Sequence, residues 1–238
     1  MNFSSISWDF WLILAFLAVV IPWRGKVRIE RLMKRPILDT PERLSLYAST
    51  IAAQWIIFAV ILWRALARGL NPGDLAITIS DPWKTAWVAV ALTFGIGAGQ
   101  LAGLRKLVRI PAEDRGALFR ITEKIMPRTR TEAMAFAALA ITAGISEEFL
   151  YRGFVFAVFM RLFAGTMFPL IYAGGLASAW FAAAHLYQGR KGIVTTFVVS
   201  IIFVLIRVYT GSLVPPMVAH ACIDLMVGIA LPRFLRKS

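Results

Sequence analysis

At 238 residues, 59% of them hydrophobic and only 16% charged, with a mean hydropathy of +0.71, the chain carries far more apolar surface than one water-soluble core uses. An ordinary soluble domain is excluded, and a bilayer is the natural solvent. The formal net charge of +13 does not point to nucleic acid, because the cations sit in short loops between apolar runs, as the positive-inside rule distributes them.

A spanning helix needs roughly 20 mostly apolar residues, since hydrocarbon offers the backbone no hydrogen-bond partner. Runs of that kind fall at Trp8–Trp23, Leu44–Trp63, Thr85–Leu104, Glu132–Phe163, Phe168–Tyr187, Ile193–Tyr209 and Leu213–Leu231. The expectation is an all-α, polytopic bundle of about seven transmembrane helices, or eight if the unusually long fourth is broken. The runs are too long, and alternate too little, for barrel strands.

The first run lacks a basic n-region and is followed by its basic flank, so it is expected to remain as a span rather than leave as a signal peptide. The loop from Arg24 to Arg43 holds seven Lys/Arg and that from Arg105 to Arg130 holds eight, whereas the connections near 64–84 and 162–167 are much poorer. Continuing the alternation through Arg190, Lys191, Arg233, Arg236 and Lys237 predicts an outside N-terminus and a cytoplasmic C-terminus. Asn71-Pro-Gly-Asp74 and Ser80-Asp-Pro82 are turn signals that keep the second external connection out of the lipid. Between Arg105 and Thr131, Leu118, Ile121 and Ile125 recur at helical spacing among Arg115, Arg120, Lys124 and Arg128, which predicts a helix lying on an anionic leaflet. No repeat or long polar linker divides the chain, so residues 1–238 read as one membrane domain. Its single cysteine, Cys222, allows no intrachain disulfide and reads as a packing residue.

Charged groups within a span cost on the order of 2.5–3.5 kcal/mol each by insertion scales, so the intramembrane polar residues carry the information. The fourth run contains Ser146-Glu147-Glu148-Phe149-Leu150-Tyr151-Arg152-Gly153. Residues four apart share a helix face, so Glu148 is expected to pair with Arg152, while Glu147 points towards the face of Tyr151 and stays available as a base. A buried ion cluster that only fixes helix register is the bland alternative. The only histidines, His185 and His220, lie in two further runs, with Phe181 one turn before His185 and Asp224 one turn after His220. Each has a packing explanation. Together, though, the residues supply a carboxylate base, a neutral imidazole to hold water, and groups to meet a developing oxyanion, as peptide hydrolysis requires. No Gly-x-Ser-x-Gly or HExxH motif is present. Glu147, His185, His220 and Asp224 also have the ligand types of a mixed zinc site. A row of Glu, His, Asp and Arg describes a proton-coupled transporter too, although no inverted repeat is visible. A non-catalytic immunity or scaffold protein is a third reading.

These residues resemble the CPBP (CAAX-processing and bacteriocin-processing, or Abi) family of intramembrane glutamate proteases, whose motifs read EExxxR, FxxxH and HxxxN or HxxxD. Glu147, Glu148 and Arg152 match the first, Phe181 and His185 the second, and His220 and Asp224 the third, over a core of about 132–226. The resemblance implies an endopeptidase of the plasma membrane, in a bacterium the inner one, acting on a membrane-associated protein or peptide. It implies no cofactor. Glu147 would deprotonate a water held with His185, and His220 with its partner would stabilise the oxyanion. Glu148, Arg152, Tyr151 and Phe181 would support that geometry. Asp224 stands where the best-described members have asparagine, and an ionised carboxylate donates no hydrogen bond. It is either protonated or, as preferred here, fixes the orientation of His220 as a triad acid does. The run boundaries also leave His185 and His220 roughly 9 Å apart in depth, at 1.5 Å per residue, which a tilt, a break or a kink at Pro215 and Pro216 must close.

Overall fold

A computed structural model describes residues 6–35, 37–110 and 116–235, and every regular element among them is helical. In chain order these are α1 (Trp8–Met33, with a π-helical turn at Phe16–Val20), α2 (Thr40–Ala67), α3 (Pro82–Val108), α4 (Gly116–Ile125), α5 (Arg130–Phe163), α6 (Pro169–Ala184), α7 (Gly189–Thr210) and α8 (Val214–Leu235). α1, α2, α3, α5 and the Leu186–Thr210 stretch containing α7 are long and apolar enough to cross a membrane, and α6 and Val214–Gly228 are shorter apolar helices. Trp8, Trp23, Trp63, Trp87, Phe94 and Ile171 are exposed on the outer surface. An outward apolar face suits hydrocarbon, and the chain is built as an integral membrane protein.

Local chemistry sets the helix ends. Asp39 and Glu42 form a reciprocal capping box at the start of α2, Asp39 Oδ1 accepting from Glu42 N at 2.8 Å and Glu42 Oε2 from Asp39 N at 3.2 Å. Thr129 caps α5 by accepting from Glu132 N. α7 stops at Gly211, whose φ of 68° is the left-handed conformation that a side chain disfavours.

Two polar sets tie the helices together at opposite ends. At one, Arg43 is buried against Glu132 (Nε to Oε2, 3.1 Å) and also donates to Leu38 O and Lys124 O, joining α2, α4 and α5. At the other, Arg64 and Arg68 of α2 donate to Asp9 of α1, and Arg161 of α5 donates to Asp74 in the 68–81 connection. α1 and α2 therefore run antiparallel, and α2 and α5 parallel. α5 is the central element, packed on α2, α6 and α8, and its Phe149–Val155 segment is wholly buried.

Three expectations change, in α1, α6 and α4, while α5 keeps to the long fourth run. α1 runs ten residues past Trp23 as a basic extension. α5 is not broken, but continuous through a π-helical segment, Phe149–Val155. α6 ends at Ala184, short of Tyr187, because His185 leaves the helical conformation. α4 does not lie with its apolar face on lipid: Phe119 and Ile121 are buried, and Phe119 packs with Tyr47, Met126 and Phe136. Arg115 and the Leu118 side chain lie outside the described residues.

α5 and α8 cross with their backbones close together at Gly144. A Cβ there would stand 2.8 Å from Met217 O and 2.9 Å from Ala221 N, both backbone atoms that cannot turn aside. Small residues let membrane helices approach in this way. Gly144→Leu is expected to destabilise the protein by about 1–3 kcal/mol and to push α8 off α5, whereas Gly99→Ala, which faces open space, should change nothing. Thermal unfolding of both variants in detergent checks this, and equal melting temperatures would contradict it.

Candidate functional site

The α-helical part of α5 ends at Glu148, and the chain continues with π-helical turns through Val155. Such segments insert an extra residue into the hydrogen-bond ladder and often occur at functional sites. Arg152 nevertheless reaches back to Glu148, Nη1 donating to Oε1 at 3.0 Å, with both side chains essentially inaccessible. The expected pair thus forms. A buried guanidinium needs more than one partner, and Arg152 lies over the ring of Phe181 at 4.0 Å and near that of Phe203 at 5.4 Å.

Glu148 has a second partner. Its Oε1 also lies 2.7 Å from His220 Nδ1, so one carboxylate oxygen gathers a guanidinium from its own helix and an imidazole from α8. A carboxylate only accepts, which assigns the Nδ1 proton to the histidine and turns Nε2 away from Glu148. Asp224 comes no closer to His220 than 3.8 Å, from Oδ2 to Nε2, and its side chain is 41% exposed. At 3.8 Å Asp224 makes no hydrogen bond to His220, and the carboxylate that does meet the ring is that of Glu148. Asp224 instead faces the opposite ring nitrogen from outside.

His185 is held by a device local to α6. Its own amide turns to Ala182 O at 3.0 Å rather than to Phe181 O, the carbonyl it would meet in a continuing α-helix. Nδ1 of the same residue donates to that carbonyl at 2.8 Å. The imidazole thereby caps its own helix, meeting one of the carbonyls that every helix C-terminus leaves unsatisfied. Because a carbonyl only accepts, this bond assigns the proton to Nδ1 and leaves Nε2 of a neutral His185 as a bare acceptor.

Nε2 faces Glu147, whose Oε2 is 4.0 Å away. The other Glu147 oxygen, Oε1, accepts from Gln54 Nε2 of α2 at 2.9 Å. Gln54 escaped the sequence reading, although a lone amide in the apolar stretch of α2 was a signal. Tyr151 packs edge-on against Phe181 at 5.1 Å, its hydroxyl buried with no partner among the described residues.

All three motifs converge on Phe181, whose ring lies 4.6 Å from that of His185 and 6.2 Å from that of His220. The expected depth gap closes because α6 has only 16 residues, about 24 Å at 1.5 Å each, and so stops at the level of His220. The kink at Pro215 and Pro216 does not occur. Both prolines lie in the first turn of α8, where a missing N–H costs no helical bond. Among the described residues, no three His, Cys, Asp or Glu side chains are arranged to hold a metal ion.

Residues 129–226 match the family model for type II CAAX prenyl endopeptidases, Rce1-like. This bears out the resemblance over that segment. No curated protein and no solved structure matches the chain.

The geometry separates the roles of two carboxylates. Glu148→Gln leaves Arg152 buried without its counter-charge and is expected to cost about 3–5 kcal/mol. Asp224→Asn breaks no hydrogen bond and should cost under about 1 kcal/mol. Comparing the melting temperatures of the two variants checks this ordering, and its reversal would return the orienting role to Asp224.

Proposed function

Proceeding from the family match over residues 129–226, we propose that the protein is an intramembrane endopeptidase that hydrolyses a peptide bond of a membrane-associated protein or peptide, with Glu147 as general base. The observation that carries this reading is a pair of acceptors facing each other. Glu147 Oε2 and His185 Nε2 stand 4.0 Å apart, too far for a direct bond, and with the His185 proton on Nδ1 an ionised Glu147 meets no donor there. A water between them has one proton for each.

In this mechanism Glu147 takes a proton from that water as its oxygen attacks the carbonyl carbon. The tetrahedral oxyanion faces His220, which keeps Nδ1 for Glu148 and, as an imidazolium, donates from Nε2. Glu147 then returns the proton to the leaving nitrogen as the C–N bond breaks. Gln54 tethers Oε1 and so aims Oε2 at the water. Glu148, with Arg152 behind it, positions His220 and stabilises its charge, the part an aspartate plays in a catalytic triad. Tyr151 and Phe181 wall the site, and Asp224 adjusts the field at Nε2. The mechanism uses no metal. In this reading the end bearing Arg28, Arg43 and Lys124 faces the cytoplasm, with the N-terminus outside, in the plasma membrane.

General acid–base catalysis contributes typically 10²–10⁴-fold, so Glu147→Gln is expected to lower cleavage at least 100-fold while leaving the melting temperature within a few degrees. A proteomic comparison of cells carrying wild type or Glu147→Gln checks this through uncleaved membrane-associated peptides, and a prenylated C-terminal peptide is the first probe for the purified protein. Undiminished cleavage by Glu147→Gln would end the proposal. Cleavage is also expected to survive chelators, and loss of activity with EDTA that zinc restores would replace the water-and-carboxylate mechanism with a metal one.

A further inference from the structure

Between the basic extension of α1 and the first turns of α2 lies an open cavity of about 540 Å³. Its wall carries three guanidiniums, Arg28, Arg31 and Arg35, and the hydroxyls of Ser45 and Ser49, beside apolar Leu46. The one carboxylate on that wall, Glu42, is already engaged twice, by Arg35 and by the capping box of α2. Three cations against one carboxylate leave the cavity with an excess of two positive charges.

Arg28 is held in position rather than loose, Nη1 donating to Thr50 Oγ1 at 3.0 Å and Nη2 to Ser49 Oγ at 2.7 Å and Leu46 O at 3.2 Å. Arg31 meets no carboxylate among the described residues. The exposed Trp23, five residues before Arg28, marks the height at which α1 leaves hydrocarbon, because indole rings settle at the headgroup layer. Arg28 then stands about 7.5 Å further on, within that layer.

We infer that this cavity binds the headgroup of an anionic phospholipid, its phosphate on Arg28 and Arg31 and its upper chains along Leu46. Guanidinium and phosphate form strong, charge-assisted hydrogen bonds, and basic pockets between membrane helices take anionic headgroups. The volume is that of an amphiphile rather than of a bare ion. The site does not depend on the hydrolytic reading, but it adjoins that machinery. Thr50 precedes Gln54 by one turn of α2, and a Cβ on Gly25 of α1 would lie 3.9 Å from Ala184 O, next to His185.

Native mass spectrometry of the full chain in detergent, titrated with phosphatidylglycerol or phosphatidylcholine, tests the assignment. Wild type is expected to hold phosphatidylglycerol at least tenfold more tightly, and Arg31→Gln and Arg28→Gln/Arg31→Gln should weaken it progressively, the pair by tenfold or more. Arg28 also ties α1 to α2, so Arg31→Gln, which removes no internal bond, is the decisive variant should the pair unfold. Equal retention of both lipids, or no change in Arg31→Gln, overturns the proposal. So does millimolar inorganic phosphate displacing the lipid completely, which would mark a free-phosphate site. A variant that binds lipid normally but loses affinity for a peptide with a free C-terminal carboxylate, relative to its amidated twin, would reassign the cavity to substrate.

Discussion

One carboxylate oxygen, Glu148 Oε1, holds the centre of this bundle together. It sits where an ion without partners is prohibitively costly, and it is tolerated because Arg152 and His220 both come to it. Arg152 in turn is accepted at that depth through the Phe181 and Phe203 ring faces. Removing any member leaves the others buried and uncompensated, so charge, stacking and helix register are one constraint. Four helices are committed to it: α5 supplies the ion pair, α8 the imidazole, and α6 and α7 the aromatic faces. The close approach at Gly144, one turn before Glu148, allows α8 to bring His220 within 2.7 Å.

A second set of contacts arranges Glu147 differently from its neighbour in sequence. Glu148 faces inward to Arg152 and His220, whereas Glu147 faces the Gln54 amide and Nε2 of His185 and is partly accessible, at 22%. Adjacent positions on a helix point about 100° apart, and this alone gives two carboxylates two environments. The same division into a paired acid and a more accessible one is what the general base proposed above requires.

The sequence exposed these roles unevenly, for physical reasons. Glu147, Glu148 and Arg152 stood out because ions in an apolar run demand explanation, and the Glu148–Arg152 pair followed from i, i+4 spacing alone. The partner of His220 did not follow, since Asp224 is near in sequence but Glu148 is near in space, and only the packing of α8 on α5 decides between them. Gln54 was quiet because it is uncharged and stands alone in its run, on a helix whose relation to α5 no local pattern encodes. Helix ends were misjudged where hydropathy and hydrogen bonding diverge. Ala184 to Tyr187 is apolar enough to continue α6, yet His185 ends it by turning its ring onto the Phe181 carbonyl.

That early ending has a consequence for the surrounding lipid. A segment of about 24 Å in a hydrocarbon layer of about 30 Å is mismatched by several ångströms, and a bilayer accommodates this by thinning or by admitting solvent at the deficient end. The helix stops at the ring of His185, which stays 16% exposed beside Glu147. For the hydrolysis proposed above, whose second reactant is polar, a short helix with its imidazole at the end lessens the thickness of hydrocarbon that reactant has to cross.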